Sequence, residues 1–274
     1  AHHKRKLRVN VDTQQWHCWV CDAKGRFITN LIKKFKPGPD IFSELKSIYQ
    51  NSFETYTTKS KQEFVKLPNE YKPLIVNSDG VTYGHAIKYL AERGITKDDI
   101  IKYNIGYCVD GPYAGRIIIP SYNANAKLNY FVARSIYPNK MKYKNPPVSK
   151  DVIIFELFIN WNMPIVLCEG VFDAMAIKRN AIPLLGKTIT DSLLKRLVNS
   201  NVPEIILALD PDALATSVKI SQTLMRYGLN VSRLTLNDGD PSDIGFTQMQ
   251  TELLKSTPVN SYELILQKIA SGSI

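Results

Sequence analysis

Only four cysteines stand among 274 residues, at positions 18, 21, 108 and 168. That is too few for a disulfide framework and implies a reducing compartment. No apolar run approaches the ~18 residues needed to cross a membrane, and the opening "AHHKRKLRVN" lacks the apolar stretch of a secretion signal. The expectation is a cytoplasmic chain with no membrane partner. It opens on Ala rather than Met, so it is expected to start inside a longer natural chain. No internal repeat and no low-complexity tract is present. The loop "LLGKTIT" contains Lys187 and Thr188 but not the G-x-x-x-x-G-K-[ST] pattern, which excludes a P-loop and with it a built-in helicase motor. Residues 111–150 contain no acid at all.

What is present is positive charge, unevenly spread. The formal net charge is +10 and the pI near 9.3. Residues 1–36 hold nine Lys/Arg against two Asp, and residues 111–150 hold seven Lys/Arg. A surface of one sign concentrates its opposite, so a polyanion is the default partner. Solvated charged faces are the plainer alternative. The carboxylates collect later in the chain, an arrangement suited to an enzyme that holds nucleic acid with one part and metal ions with another.

The pattern along the chain reads as α/β. Residues 1–34 form a small module with two short strands, a turn and a helix start. Residues 35–80 are polar, contain Pro37, Pro39, Pro68 and Pro73, and read as a linker. Over 81–160 a helix closed by Gly94 precedes a second helix started by Thr96, with Asp98 and Asp99 in its first turn. A hairpin around "NANA" follows, making a basic α+β unit. From 161 to 256 strand and helix alternate four times, which argues for a parallel sheet flanked by helices on both faces. Residues 257–274 read as a tail.

Three of those four strands end in acid. "IVLCE" ends at Glu169, "LALDPDA" supplies Asp210 and Asp212, and "DGDPSD" supplies Asp240 and Asp243. In a parallel sheet these positions converge on one rim, outside the carboxyl ends of the strands. Converging carboxylates raise one another's pKa unless a cation neutralises them. Magnesium or manganese suits such oxygen donors, and a pair of ions can grip both the entering and leaving oxygens of a phosphoryl displacement. Asp at a strand end also serves as a helix N-cap, a plainer role open to Asp210, Asp240 and Asp243. Glu169 is a poor cap. Asp173 is either a support for a metal ligand or an acid favoured by the positive helix end.

Taken in order, "CEGVFDAMAI", "LALDPDALA" and "GDPSD" resemble the three motifs of the Toprim domain. "LAERGITKDDIIKYNIGYCVD", "GRIIIPSYNANAKLNYFVARSI" and "KMKYKNPP" resemble the amino-terminal half of the catalytic core of DnaG-type primases. The resemblance covers roughly 82–250 and implies a Toprim-like sheet and an enzyme joining ribonucleotides on single-stranded DNA during replication. It implies that Glu169, Asp210, Asp212 and Asp240 bind Mg2+ or Mn2+, with Asp243 a further candidate and Glu169 also a proton acceptor. Arg116, Arg134, Lys142 and Asn145 are implied to line a groove for ribonucleoside triphosphates and template. A separate replicative helicase is the implied partner. Pro211 and Ala215 stand where glycines are usual, and the last acid falls at Asp243 rather than at Ser242, features closer to bacteriophage primases. In a viral chain the compartment would be the host cytoplasm.

"HCWVC" places Cys18 and Cys21 as C-x-x-C, half of a tetrahedral zinc site. The same resemblance implies an amino-terminal zinc ribbon, expected to be incomplete at its start, for which His2 or His3, with 15 and 14 residues between them and Cys18, is a candidate third ligand or a remnant of the missing region. The plainer reading is two small packing residues or a redox pair. Trp16 and Trp19 beside Lys4, Arg5, Lys6 and Arg8 suit stacking on a single strand, or a small core. Cys108 and Cys168 read as packing residues. Two rival functions use the same residues. A Toprim nuclease or topoisomerase breaks strands, the latter with a tyrosine on a further domain. A non-catalytic recombination mediator binds DNA without requiring the full acidic set.

Overall fold

The computed structural model describes residues 6–10, 15–25, 31, 65–236 and 241–260, with only the backbone of Asp212. His2, His3, Asp240, the side chain of Asp212, residues 35–64 and residues 261–274 lie outside the described residues.

The amino-terminal module is a three-stranded antiparallel sheet of β1 (Leu7–Val9), β2 (Trp16–Cys18) and β3 (Lys24–Gly25), ordered β1-β2-β3. The third strand was not expected. Trp16 is buried whereas Trp19 is 65% exposed, so the two tryptophans divide between core and surface. Gly25 is where the indole of Trp16 lies, since a Cβ there would come within 2.6 Å of its Nε1.

The second unit is a four-stranded antiparallel sheet, β4 (Tyr71–Pro73), β5 (Gly106–Cys108), β6 (Arg116–Tyr122) and β7 (Leu128–Ser135), joined in that order. β4 corrects the sequence reading, which left 35–80 as linker and began this unit at 81. Tyr71 and Pro73 hide the strand behind turn-like composition, yet they pair with Cys108 and Gly106 and supply an edge, where Pro is tolerated. Helices α1 (Val81–Glu92) and α2 (Lys97–Lys102) lie between β4 and β5. Gly94 follows α1 at φ +70, and Thr96 caps α2 in a reciprocal box with Asp99. The β6–β7 hairpin turns through "NANA" as expected, closed by Asn123 N–H donating to Lys127 O at 2.9 Å.

The third unit is a five-stranded sheet in the order β12-β11-β10-β8-β9. Here β8 is Ile165–Cys168, β9 Ala181–Pro183, β10 Ile205–Ala208, β11 Val231–Arg233 and β12 Thr257–Pro258. The first four run parallel and β12 adds an antiparallel edge. Thr257–Pro258 therefore belong to the sheet and not to the expected tail. The helices are α3 (Val171–Ile177), α4 (Asp191–Val198), α5 (Leu214–Arg226), α6 (Pro241–Ile244) and α7 (Phe246–Leu253).

Period-two alternation decides which core each strand residue enters. In β8, Ile165 and Leu167 pack with α4 and α5, whereas Val166 and Cys168 pack with α3 and with the antiparallel unit. In β10, Ile205 and Leu207 take the first face, Ile206 and Ala208 the second. The antiparallel sheet presents Ile117, Ile119, Tyr130 and Val132 to that same second core and turns Ile118, Phe131 and Ala133 away. One continuous core thus binds the two sheets together. Among the described residues, no helix is long and apolar enough to cross a membrane.

Candidate active site

The winding of the parallel sheet reverses at β8, because β9 lies on one side of it and β10 on the other. Helix α3 leaves β8 toward one face and α5 follows β10 on the opposite face, opening a crevice between the two strand ends. Cys168 pairs with Ala208. Glu169 follows Cys168 directly and Asp210 lies two residues past Ala208, so neighbouring strands ~4.8 Å apart carry both carboxylates into the crevice. Both line a cavity of about 500 Å³, and both are half-buried.

The opposite wall comes from the antiparallel sheet. Arg134 pairs with Ile117 and lies two residues beyond Val132, which puts it on the face turned toward the carboxylates. Its Nε donates to the Tyr89 hydroxyl at 2.8 Å, and its guanidinium lies 4.7 Å from the ring centroid of Tyr143. A β-bridge between Arg134 and Tyr143 brings Tyr143, and Asn145 two residues on, to the same face. Asn145 Oδ1 accepts from Ala133 N–H at 3.4 Å, which fixes the amide's direction. Arg93, just past α1, stacks on Phe172 at 4.9 Å and Tyr89 at 5.0 Å. Aromatic stacking holds a guanidinium by its face and leaves its N–H edge for a ligand.

Of the four residues expected in the nucleotide groove, the structure brings together Arg134 and Asn145 but not Arg116 and Lys142. Arg116 pairs with Ser135, one position out of phase with Arg134, and so lies on the opposite face of the sheet. It is 5% exposed and donates to the carbonyls of Met141 at 3.0 Å and Lys142 at 3.3 Å. Lys142 alternates away from Tyr143, and its side chain is exposed outside the cavity. Arg93, Tyr143 and Lys150 line the cleft and were missed by the sequence reading. Arg93 was absorbed into a helix end, where a basic residue has an ordinary dipole role.

Among the acids, Asp173 is the helix-start residue. Its Oδ2 accepts from Gly170 N–H at 2.8 Å, and a Cβ on residue 170 would stand 3.2 Å from that oxygen. Asp243 is exposed on α6, and Ser242 rather than Asp243 lines the cavity. Burial pushes the Cys168 thiol well up, and the carboxylates of Asp173, Asp210 and Glu169 push it further, so three negative groups act on one spot. Burial also pushes the Cys108 thiol up to about 12, consistent with a packing residue.

In the amino-terminal module Cys18 is half-buried on β2 and Cys21 exposed just beyond it. His17 Nε2 lies 2.6 Å from Asp22 Oδ1 and its ring packs edge-on against Trp19, away from the cysteine pair. Among the described residues no three His, Cys, Asp or Glu form a metal-binding group.

No family model matches the chain. Among curated proteins it is similar to the DNA primase of Halalkalibacterium halodurans, 23% identical over 309 residues that take in 86% of this chain and 49% of that protein. It is also similar to the DNA primase of Thermotoga maritima, 22% identical over 320 residues, 97% of this chain and 56% of that protein. An uncharacterized protein of Mycoplasma genitalium is 29% identical over 154 residues, 52% of this chain and 69% of its own length. The chain thus spans about half the length of the curated primases it matches. Among solved structures, the Aquifex aeolicus primase with zinc-binding and RNA polymerase domains superposes with a TM-score of 0.58 at 17% identity, over 94% of this chain and 77% of that one. A DnaG primase catalytic domain bound to single-stranded DNA gives 0.57 at 16% identity, over 66% of this chain and 74% of that one. The fold is that of a DnaG primase core.

Proposed function

We propose that the chain is a DNA primase of the DnaG kind, joining ribonucleotides on a single-stranded DNA template with release of pyrophosphate. The observation that carries this is the cleft itself: two carboxylates from adjacent parallel strands face a wall of Arg93, Arg134, Asn145 and Lys150. A wall of donors opposite a floor of acids suits a reaction in which phosphates are held and a hydroxyl loses its proton.

Arg134, Arg93 and Lys150 would hold the phosphates of template and nucleotide, and Tyr143, 43% exposed, offers a ring on which a base can stack. In the reaction the 3′ oxygen of one ribonucleotide forms a bond to the α-phosphorus of the next, whose bond to pyrophosphate breaks. Glu169, which lines the cleft, would take the proton of the 3′ hydroxyl at its carboxylate. The donor set of Glu169 and Asp210 is all hard oxygen and fits Mg2+ or Mn2+ rather than a soft metal. Asp212 and Asp240 would complete it, whereas Asp243 is the least favoured of the acids since Ser242 takes the cleft position. When bound, the metal neutralises the crowded carboxylates and polarises the reacting phosphoryl oxygens. Cys18 and Cys21 would supply two of four zinc ligands in the amino-terminal module, with His2 or His3 a third. A separate replicative helicase would expose the template.

The test is to incubate the full chain with single-stranded DNA, magnesium and labelled ribonucleoside triphosphates. Oligoribonucleotides should form, and Glu169→Gln or Asp210→Asn should cut their yield at least about a hundredfold without lowering the melting temperature. Cleaved DNA would favour the nuclease reading, and DNA retention with no chemistry the recombination mediator. Elemental analysis of the purified chain should find zinc in the wild type and lose it in Cys18→Ser.

A further inference from the structure

Asp210 borders a second hollow. It lies on the far side of Asp210 from the basic wall, has a volume of about 290 Å³, and is enclosed by the carboxyl ends of β10 and β11 and the start of α5. Leu207, Leu209, Leu234 and Leu236 make its walls apolar. Into this apolar space project Arg233 and Ser217. Nε and Nη1 of Arg233 and Oγ of Ser217 are buried with no hydrogen-bond partner among the described residues, and Ser217 is only 4% exposed.

Two guanidinium nitrogens of the half-buried Arg233 lack water and a partner, which is costly because nothing replaces the lost hydration. The start of α5 also borders the hollow through Ala213, Leu214 and Ser217, which puts the positive end of a 13-residue helix at its edge. The guanidinium is a fork of donors and the hydroxyl can donate as well. Donors converging in a low-dielectric space select an oxyanion, and a planar fork matches a phosphoryl group. At 290 Å³ the hollow is at the small end of ligand cavities and suits a headgroup rather than a whole nucleotide. Asp210 lines both the hollow and the cleft.

We propose that this hollow receives the terminal diphosphate of the nucleoside triphosphate, held by Arg233, Ser217 and the amino end of α5. The assignment rests on the proposed nucleotidyl transfer and adds where the leaving group is seated. In an in-line displacement the leaving diphosphate points away from the attacking hydroxyl. A donor-lined recess adjoining Asp210 would hold it there and stabilise the charge it gains.

Binding of inorganic pyrophosphate to the full chain in metal-free buffer, followed by calorimetry, isolates this recess from any metal-dependent site. Wild type should bind, Arg233→Met should weaken binding roughly tenfold or more, and Ser217→Ala severalfold. A triphosphate analogue that cannot be cleaved should displace pyrophosphate, and adenosine monophosphate should not. Arg233→Met should also lower kcat/KM for ribonucleoside triphosphates at least about tenfold, with part of the loss in kcat. Without pyrophosphate, Arg233→Met should melt no lower than wild type, since guanidinium nitrogens that lack water and a partner are being replaced by an apolar chain of similar length. Equal pyrophosphate affinity in wild type and Arg233→Met would overturn the proposal, and so would a melting temperature several degrees lower in Arg233→Met, which would mean that the guanidinium is paired within the chain. Pyrophosphate binding that depends on Arg233 in a chain unable to make oligoribonucleotides would uphold the recess and refute the primase reading instead.

Discussion

Arg116 and Arg134 show how much one residue of register decides. They stand on paired strands, yet Arg134 faces Ile117 across the ladder and Arg116 faces Ser135, so a period of two sends them to opposite faces. Arg134 reaches the cleft. Arg116 holds the carbonyls of Met141 and Lys142, and so fixes the loop that presents Tyr143 and Asn145. Replacing each by Met should therefore give opposite profiles. Arg134→Met should leave urea-induced unfolding within about 1 kcal/mol of wild type and weaken single-stranded DNA binding. Arg116→Met should cost about 1–2 kcal/mol of stability, since the Met141 and Lys142 carbonyls lose a charged donor, although Lys142 O keeps the Ser135 N–H. Asp173 gives a second contrast: Asp173→Asn retains an oxygen for Gly170 N–H and should keep most activity, whereas Asp173→Ala should lose about 1 kcal/mol through the lost cap, read by thermal melting.

At the scale of elements, the two sheet units are joined by apolar packing and, among the described residues, by ion pairs, of which Lys178–Asp99 is the more buried. Lys178, the C-cap of α3, sends Nζ to within 3.1 Å of Asp99 Oδ2 on α2, and Asp99 is 7% exposed on its side chain. Burial by itself would raise the Asp99 carboxyl, but the backbone and hydroxyl of Thr96 and the ammonium of Lys178 outweigh it and hold the group below its ordinary value. A depressed folded pKa stabilises at pH above the unfolded value of about 3.9 and loses that stabilisation as pH falls through the lower folded value. Urea unfolding measured from pH 6 down to pH 3 should show wild type losing stability more steeply at the acid end than Asp99→Asn. At pH 7 Asp99→Ala should cost roughly 3 kcal/mol, because it breaks the pair and the capping box together. The box itself was legible as Thr96 followed by Asp99, since capping is local chemistry. Its pairing with Lys178, 79 positions away, was not.

For the whole molecule, the net charge of +10 gives attraction to a polyanion but not its address. The fold supplies the address by placing Arg93, Arg134 and Lys150 in one cleft while Lys142 stays outside it and Lys144 donates to Pro112 O on the other face of the sheet. Salt dependence can separate these sets. Each phosphate contact on a single strand contributes about −0.7 to the slope of log K against log salt, so removing Arg134 or Lys150 should flatten the slope by about that amount. Lys144→Met should leave it unchanged.

The alternation of strand and helix, the acids at strand ends, the "NANA" hairpin and the Thr96 cap were all decided by the sequence alone, because each rests on a period or on chemistry within four residues. β4 was hidden by its prolines, and β12 by its brevity, since an edge strand of two or three residues carries no period of its own. The adjacency of Glu169 and Asp210, the exclusion of Arg116 and the entry of Arg93 were decided only by the tertiary structure. Strand order, sheet face and the path of the connecting loops are set by which apolar surfaces meet, and those contacts join residues far apart in the chain.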